Sequence, residues 1–500
     1  MKKYLVLPLL LLLCIPTATA QPAKHRLVIL ADMGNEPDEQ QQMFHMLLYA
    51  NEFDLEGLIA VTGKYLRPGA KTPYKEKLHP ELFHLLIDGY AKIVSNLEKH
   101  ARGWPTPDYL RSIVASGQSG YGINDVGTGK SSPGSDLLIK ILEKDDQRPV
   151  YVVVNAGSNT LAQALFDYKA RYSQTRLNHA VAKLRVFENG AQDNAGAWIC
   201  SNFPNIIWRR SNYQTYAFAG PSGDGGKDNS GNKKNLGPYT WEPYAYSGVG
   251  QHQWALEHII GQHGPFGNYY PLRQFPRGGI AFLEGGGTIP WFILIHQGLS
   301  DIEHAHWGSW SGRFTRAKVA NVWSKHRGIR ADESKYAPFY VYTEDKDSWT
   351  NPETGKHYPD NVFAPVWRWR RAFFNDFRGR MDWAKQPFAK ANHNPIAAVN
   401  GDQSEKVHFF NAKAGSKFSA DASASSDPDG DKLRFSWWIY PEAGTYPSKI
   451  KISGASKNKA SLRIPKDASG KEIHLILEIK DDSPIVSMYD YRRLVLNITE

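Results

Sequence analysis

The feature that most constrains the fold is a buried-strand pattern that runs straight into a cluster of acids. The apolar run Leu27, Val28, Ile29, Leu30 leads into Ala31-Asp32-Met33-Gly34-Asn35-Glu36-Pro37-Asp38-Glu39. Apolar residues at helical spacing follow, at Met43, Phe44, Leu47 and Leu48. An uninterrupted apolar strand is buried on both faces, the habit of a parallel sheet with helical crossovers. In such sheets ligands gather beyond the carboxyl ends of the strands, where Asp32, Glu36, Asp38 and Glu39 fall. Like charges packed this closely repel unless a cation or solvent lies among them. One reading is a hard, oxygen-preferring cation, Ca²⁺ or Mg²⁺, at the strand tip. The other is a solvated acidic turn in which Asp38 caps the helix.

The strand-then-helix pattern recurs. Strands are predicted at Leu27–Leu30, Leu58–Val61, Val150–Val154, Leu184–Phe187, Ile206–Trp208 and Ile280–Leu283. Helical patterns lie between several of them, at Gln41–Ala50, Ser135–Glu143, Thr160–Tyr168 and His252–Ile260. The expected fold is α/β, a doubly wound, mainly parallel sheet over residues 24–315. Gly220 to Lys234 reads as a loop or lid. Residues 316–390, rich in aromatics around Trp367-Arg368-Trp369-Arg370, are expected to be an α-rich extension of the same domain. Composition shifts at Ala391-Asn392-His393-Asn394-Pro395. From there short alternating runs predict an all-β sandwich over residues 393–500. Within it, Asp427-Pro428-Asp429-Gly430-Asp431 fails as an EF-hand loop, because Lys432 and Trp438 stand where that loop needs Gly and Glu. It reads as a turn.

Residues 1–20 have the form of a secretory signal: Lys2 and Lys3, an apolar core from Leu5 to Ile15, and Ala18-Thr19-Ala20 before the cut. That core is too short to span a bilayer, so the chain is expected to be exported, periplasmic or extracellular, with no integral membrane segment. Only Cys200 remains after cleavage, so no internal disulfide can form. The net charge is +10, but the basic residues are scattered and carry no nucleic-acid motif. Aromatic residues in Gly-rich contexts, such as Tyr239 to Tyr244 and Trp307 to Trp310, suit sugar rings or serve as loop anchors.

Asp32-x-Gly34 with Asp38-Glu39 resembles the Asp-x-Gly-x-Asp-Asp motif of the calcium-dependent inosine–uridine nucleoside hydrolases, with two residues more and Glu for the last Asp. Asn155-Ala156-Gly157-Ser158-Asn159-Thr160-Leu161-Ala162 is similar to that superfamily's Gly-Pro-Leu-Thr-Asn-Leu-Ala turn. A wider set fits a closer group. It comprises Asp32 to Asp38, Tyr49 to Ile59, Gln192 to Ile199, Gln297 to His304, Trp367 to Arg370, and the tail from Asp427 through Trp437-Trp438 to Tyr446. Together these resemble secreted nucleoside-hydrolase-like proteins, often labelled cellulose-binding, with a C-terminal Ig-like domain.

The resemblance implies Ca²⁺ at the bottom of a sugar pocket. Asp32 becomes metal ligand and general base, and Asp38 a ligand to the metal or a sugar hydroxyl. Glu39 replaces a bidentate Asp, and Asn159 lends its main-chain oxygen. The closing Asp of the nucleoside hydrolases is missing, with Glu284 of Glu284-Gly285-Gly286-Gly287 as its possible substitute. Those glycines could instead serve a tight turn or close backbone approach. Asp193 and Asn194 are candidates for hydroxyl recognition or for capping a helix, and Trp198 for core or a pocket wall. Asp301, Glu303, His304 and His306 could supply a leaving-group acid or form a hydrogen-bonded loop.

The leading expectation is a hydrolase of glycosidic or N-ribosyl bonds acting on a carbohydrate or nucleoside-like small molecule. The rival is a non-catalytic protein that binds a cellulose-like polysaccharide. Neither requires a nucleic-acid partner.

Overall fold

The computed structural model describes residues 23–218, 254–261, 263–274, 280–281, 283, 285–295, 298–319 and 331–500. Residues 1–20, read from sequence as a signal, the stretch Gly220 to Lys234 expected to be a loop or lid, Tyr239 to Tyr244, Glu284 and Gln297 lie outside the described residues.

Strands β1 (His25–Ala31), β2 (Phe53–Ala60), β3 (Val114–Ser116), β4 (Val150–Val154), β5 (Leu184–Asn189) and β6 (Ile207–Ser211) are parallel, in the order β3-β2-β1-β4-β5-β6. Along β1, Leu27, Ile29 and Ala31 enter one core and Val28 and Leu30 the other. Both faces are thus covered, as the unbroken apolar run requires. The second core packs the sheet against the helices Pro133–Glu143, Ser158–Arg171, Gln174–Lys183 and Ala195–Asn202. Strand order reverses between β1 and β4; ligands of such sheets bind in the crevice beyond the carboxyl ends of the strands at this reversal.

Two expectations need correction. Among the described residues, the Ile280–Leu283 run does not join the large sheet. Its strand β8 (Ile280–Ala281) pairs only with β7 (Arg273–Gln274), antiparallel. Among the described residues of the 316–390 segment the α-helices lie in its second half, at Ala364–Trp367 and Arg370–Trp383. Its first half carries β9 (Phe314–Val319) and β10 (Phe339–Glu344), which extend the large sheet beyond β6, and the hairpin β11 (Asp347–Thr350) with β12 (His357–Asn361). The alternation of buried Phe339 and Val341 with exposed Tyr340 is the two-residue period of a strand.

The C-terminal unit is a two-sheet sandwich. One sheet has the order β13-β19-β18-β15, from His408–Lys413, Tyr489–Thr499, Glu472–Asp481 and Leu433–Ile439. The other has β14-β17-β16, from Lys417–Asp421, Lys459–Arg463 and Ile452–Ser453. Asp427 accepts the Asp429 and Asp431 amides at 2.9 and 3.0 Å, so the acidic stretch is a turn.

The sandwich is fused to the α/β domain. Leu475, Leu477, Leu494 and Leu496 fill its own core, whereas Ile476, Tyr440 and Tyr491 belong to the core beneath the large sheet. Buried Asp347 ties the seam: it accepts from Arg313 Nε at 2.8 Å and Tyr440 OH at 2.6 Å, and pairs with Arg368 at 2.8 Å. Arg493 of β19 donates to the carbonyls of Leu299 and Gly308 at 2.8 and 2.7 Å. Removing one member of a buried charge cluster strands the others and costs about 3–5 kcal/mol. Asp347→Ala should therefore lower stability by about that amount in denaturant titration. Wild type should unfold in one transition by both fluorescence and circular dichroism. Two well-separated transitions would show that the seam does not couple the domains.

Candidate functional site

The site begins where β1 stops. Asp32 is the first residue past the strand, and the chain turns at once: the Asn35 amide donates to the Asp32 carbonyl at 3.0 Å, with Gly34 at φ +90°. The helix Pro37–Leu47 starts there, with Glu36 in extended conformation at the N-cap position, making no side-chain capping bond, and Pro37 in the first turn. Asp38 is thus not the cap. It lies with Glu39 in the first helical turn, where backbone N–H groups favour negative charge. Asp32 and Glu39 are buried, and Asp38 is half-buried.

Burial and the neighbouring Asp38 charge push the Asp32 carboxyl well above the usual carboxylate range, and Glu36 adds to the effect. Burial likewise raises Glu39, with Asp38 and Asp32 contributing. Asn155 follows β4, across the crevice from Asp32, and donates from Nδ2 to Glu39 at 3.1 Å. The glycines at 285–287 serve close approach. A Cβ on Gly287 would stand 2.6 Å from Asn155 Nδ2, and one on Gly286 would stand 2.7 Å from the Thr215 carbonyl. Gly63, just beyond β2, does the same for Asp32, whose Oδ2 would lie 2.4 Å from an added Cβ.

Three buried oxygens here have no hydrogen-bond partner: Asp32 Oδ2, Asn155 Oδ1 and Asn159 Oδ1. Unpartnered carboxylate and amide oxygens suit a hard cation. Among the described residues no three His, Cys, Asp or Glu side chains are arranged to hold a metal by themselves. The donor set fits only a cation that takes amide oxygens together with carboxylates. Asn159 is the second residue of the helix Ser158–Arg171. Carbonyls in a first turn point along the helix, away from its N-terminal mouth. The Asn159 side chain contributes the unpartnered Oδ1, while its Nδ2 donates to the Gly120 carbonyl at 3.0 Å.

The remaining candidates separate. Asp193 accepts from Ser158 Oγ, from the Asn159 amide at 3.2 Å and from the Ala195 amide at 2.9 Å, so it clips two helix starts together. Asn194 Oδ1 accepts the Ile123 amide at 3.0 Å, a loop-holding role. Trp198 packs edge-on against Phe203 over the helical core on one face of the sheet. Glu303 pairs with Arg185 at 2.7 Å, near the start of β5. His304 stacks on Trp307 at 3.9 Å and contacts Asp301 at 3.0 Å. Asp301 and Glu303 also act on His25, the first residue of β1. Strands rise about 3.3 Å per residue, so the length of β1 places Glu303 and His304 roughly 20 Å from Asp32, at the opposite edge of the sheet. That distance removes them from the Asp32 site. Asn155 and Gly63 were not singled out from sequence as site residues. For Asn155 the signal was available, as the first polar residue after the run Val150 to Val154.

The strand order and the acid-lined crevice at its reversal define a doubly wound, nucleoside-hydrolase-like protein. Residues 26–314 match the family model of the Sde182 cellulose-binding, nucleoside hydrolase-like domain, and residues 417–498 that of the Sde0182 cellulose-binding protein C-terminal domain. The chain belongs to this family. It is 35% identical to a nucleoside hydrolase-related hypothetical protein from Saccharophagus degradans, described as associated with carbohydrate metabolism. That match covers 95% of this chain and all (100%) of the other, with a TM-score of 0.77. The effector protein XOO4466 matches at 12% identity over 50% of this chain and 65% of its own, with a TM-score of 0.28, too low to carry an argument. No curated protein matches the chain.

The raised carboxyls have a direct consequence. Unfolded Asp and Glu ionise at about pH 4, while folded Asp32 and Glu39 hold their protons to higher pH. Between those limits the native state binds more protons than the unfolded state, so stability falls as pH rises. In chelator-treated protein, Asp32→Asn and Glu39→Gln should each flatten that slope and add about 1–3 kcal/mol at neutral pH. Unaltered slopes in thermal melts from pH 4 to 8 would contradict this placement.

Proposed function

We propose that the crevice between β1 and β4 binds a sugar unit and hydrolyses its glycosyl bond with an activated water. The supporting observation is Asp32, a buried carboxylate whose Oδ2 has no partner, beside half-buried Asp38 at the strand-order reversal. A carboxylate made more basic by burial is suited to accept a proton from water. Asp38, nearer solvent, is placed to bind a sugar hydroxyl. Glu39, fixed by Asn155, adds negative charge that stabilises an oxocarbenium-like transition state. Ca²⁺ held by Asp32, Asp38, Glu39 and the side-chain oxygens of Asn155 and Asn159 would keep these acids ionised and polarise the water.

The proposed compartment is extracytoplasmic, from the form of residues 1–20, which makes an environmental carbohydrate the better substrate than a nucleoside. No helix among the described residues is long and apolar enough to cross a membrane.

A second reading, carbohydrate binding without catalysis, has a specific observation in its favour. Asp193 and Asn194 are engaged in holding loops, and Glu303 and His304 lie at the far edge. The sequence candidates therefore leave no leaving-group acid at the site. The family's cellulose-binding description agrees with it.

Two measurements separate the readings. Saturating Ca²⁺ at a hundredfold its Kd should stabilise the protein by about 2.7 kcal/mol, with no effect on Asp32→Ala. Incubation with nucleosides and oligosaccharides should release reducing sugar, and Asp38→Ala should lower that rate at least a hundredfold. Binding of a glycan with no release from any substrate would leave the non-catalytic reading standing.

A further inference from the structure

Arg209 places a positive charge in the middle of an apolar face. It lies halfway along β6, and its register partners across the sheet are Phe187 of β5, then Val153 of β4 and Ile29 of β1. In-register neighbours share a face of the sheet. Arg209 therefore projects with these three side chains into the core that also receives Tyr440, Ile476 and Tyr491 of the sandwich. It is 0% exposed. Its Nη2 donates to the Ile302 carbonyl at 2.6 Å, whereas Nε and Nη1 have no acceptor among the described residues. A guanidinium does not shed its proton in a protein, and a buried charge without a counter-charge is strongly unfavourable.

The carboxylates that act on Arg209 are engaged elsewhere. Asp301 contacts His304 Nδ1 at 3.0 Å and accepts the Glu303 amide at 2.7 Å, and Glu303 pairs with Arg185 at 2.7 Å. Neither forms an ion pair with Arg209 among the described residues. Burial lowers the Arg209 pKa from its ordinary value, and Tyr151, Glu303, Asp301 and Tyr342 only partly offset that effect.

Arg209 lines a small cavity together with Asp301, His304, Trp307, Ser309 and Ser311. Buried Trp307 Nε1 also has no acceptor among the described residues, and Ser309 Oγ accepts the Ser311 amide at 3.2 Å while keeping its own proton to donate. Half-buried Asp301 and His304 form the outer wall. The hydrogen bond from Asp301 raises the pKa of His304, so the pair carries little net charge while His304 is protonated, and Arg209 sets the sign of the cavity. The volume is about 10 Å³, enough for a single water-sized particle and too small for phosphate or sulfate. A water could accept from the guanidinium but would leave its charge uncancelled. A monatomic anion does both.

We infer that this cavity is a halide site that takes one chloride ion, held chiefly by the Arg209 guanidinium. The ion ties β6 to the segment that receives the sandwich. Trp307 meets His474 of β18 edge-on at 5.2 Å, and the Gly308 carbonyl accepts from Arg493 of β19. Three strand spacings separate β6 from β1, about 14 Å, so the site is distinct from the Asp32 crevice and independent of its chemistry.

The test uses the full-length protein. Raising chloride a hundredfold at constant ionic strength, with gluconate making up the balance, should raise the melting temperature of wild type by about 3 °C. In Arg209→Met, which keeps the length of the side chain without its charge, the rise should be absent. Crystals grown in bromide should show an anomalous-scattering peak in contact with Arg209 Nε or Nη1. That peak decides the matter by itself if Arg209→Met does not fold. A water without bromide signal at that position, or the same chloride response in wild type and folded Arg209→Met, overturns the proposal.

Discussion

The site depends on one electrostatic constraint: two carboxylates, Asp32 and Glu39, are held out of water within reach of each other's charge. Isolated, such a pair favours protonation or separation. Here the backbone forbids separation. Asp32 is fixed by the end of β1 and by Gly63 against its oxygen, while Glu39 is fixed by the first turn of the next helix and by Asn155. At Gly286 and Gly287 an added Cβ would collide with the Thr215 carbonyl and the Asn155 amide respectively, so this packing has no room for a side chain there. A fold that retains this arrangement retains a place where positive charge or a proton is favoured.

The second organising element is the seam. The C-terminal sandwich does not hang on a linker. Its β18 and β19 send alternate residues into two cores, and the Asp347 cluster and Arg493 make hydrogen bonds across the boundary between the domains. Whatever the sandwich contributes, it contributes as a wall of the same body. One sheet face that a free glycan-binding module could present is covered by the first domain.

Sequence reading reached the fold class because the evidence for it is local. Uninterrupted apolar runs such as Val150 to Val154 can be buried only one way, and the alternation in Ile473 to Ile479 is equally direct. It failed where elements are short or where partners decide. Val114–Ser116 is three residues of edge strand, and Phe339–Glu344 was hidden in an aromatic segment with helical composition on its far side. In the site, Asp32, Asp38 and Glu39 were legible from their spacing. Asp193 was legible as polar but not as a clip, because its partners Ser158 and Asn159 are distant in sequence. Glu303 and His304 looked chemical by composition, yet they pair with Arg185 and stack on Trp307 at the wrong edge.

The sequence by itself determined that acids follow a doubly buried strand and that a sandwich follows an α/β domain. Periodicity and residue type along the chain are enough for those statements. Only the tertiary structure decided which acids share a crevice, which of the two edges each cluster occupies, and that Asn155 and Gly63 complete one neighbourhood. These depend on strand order and on contacts between distant segments. A linear pattern fixes the period of an element but not its neighbour.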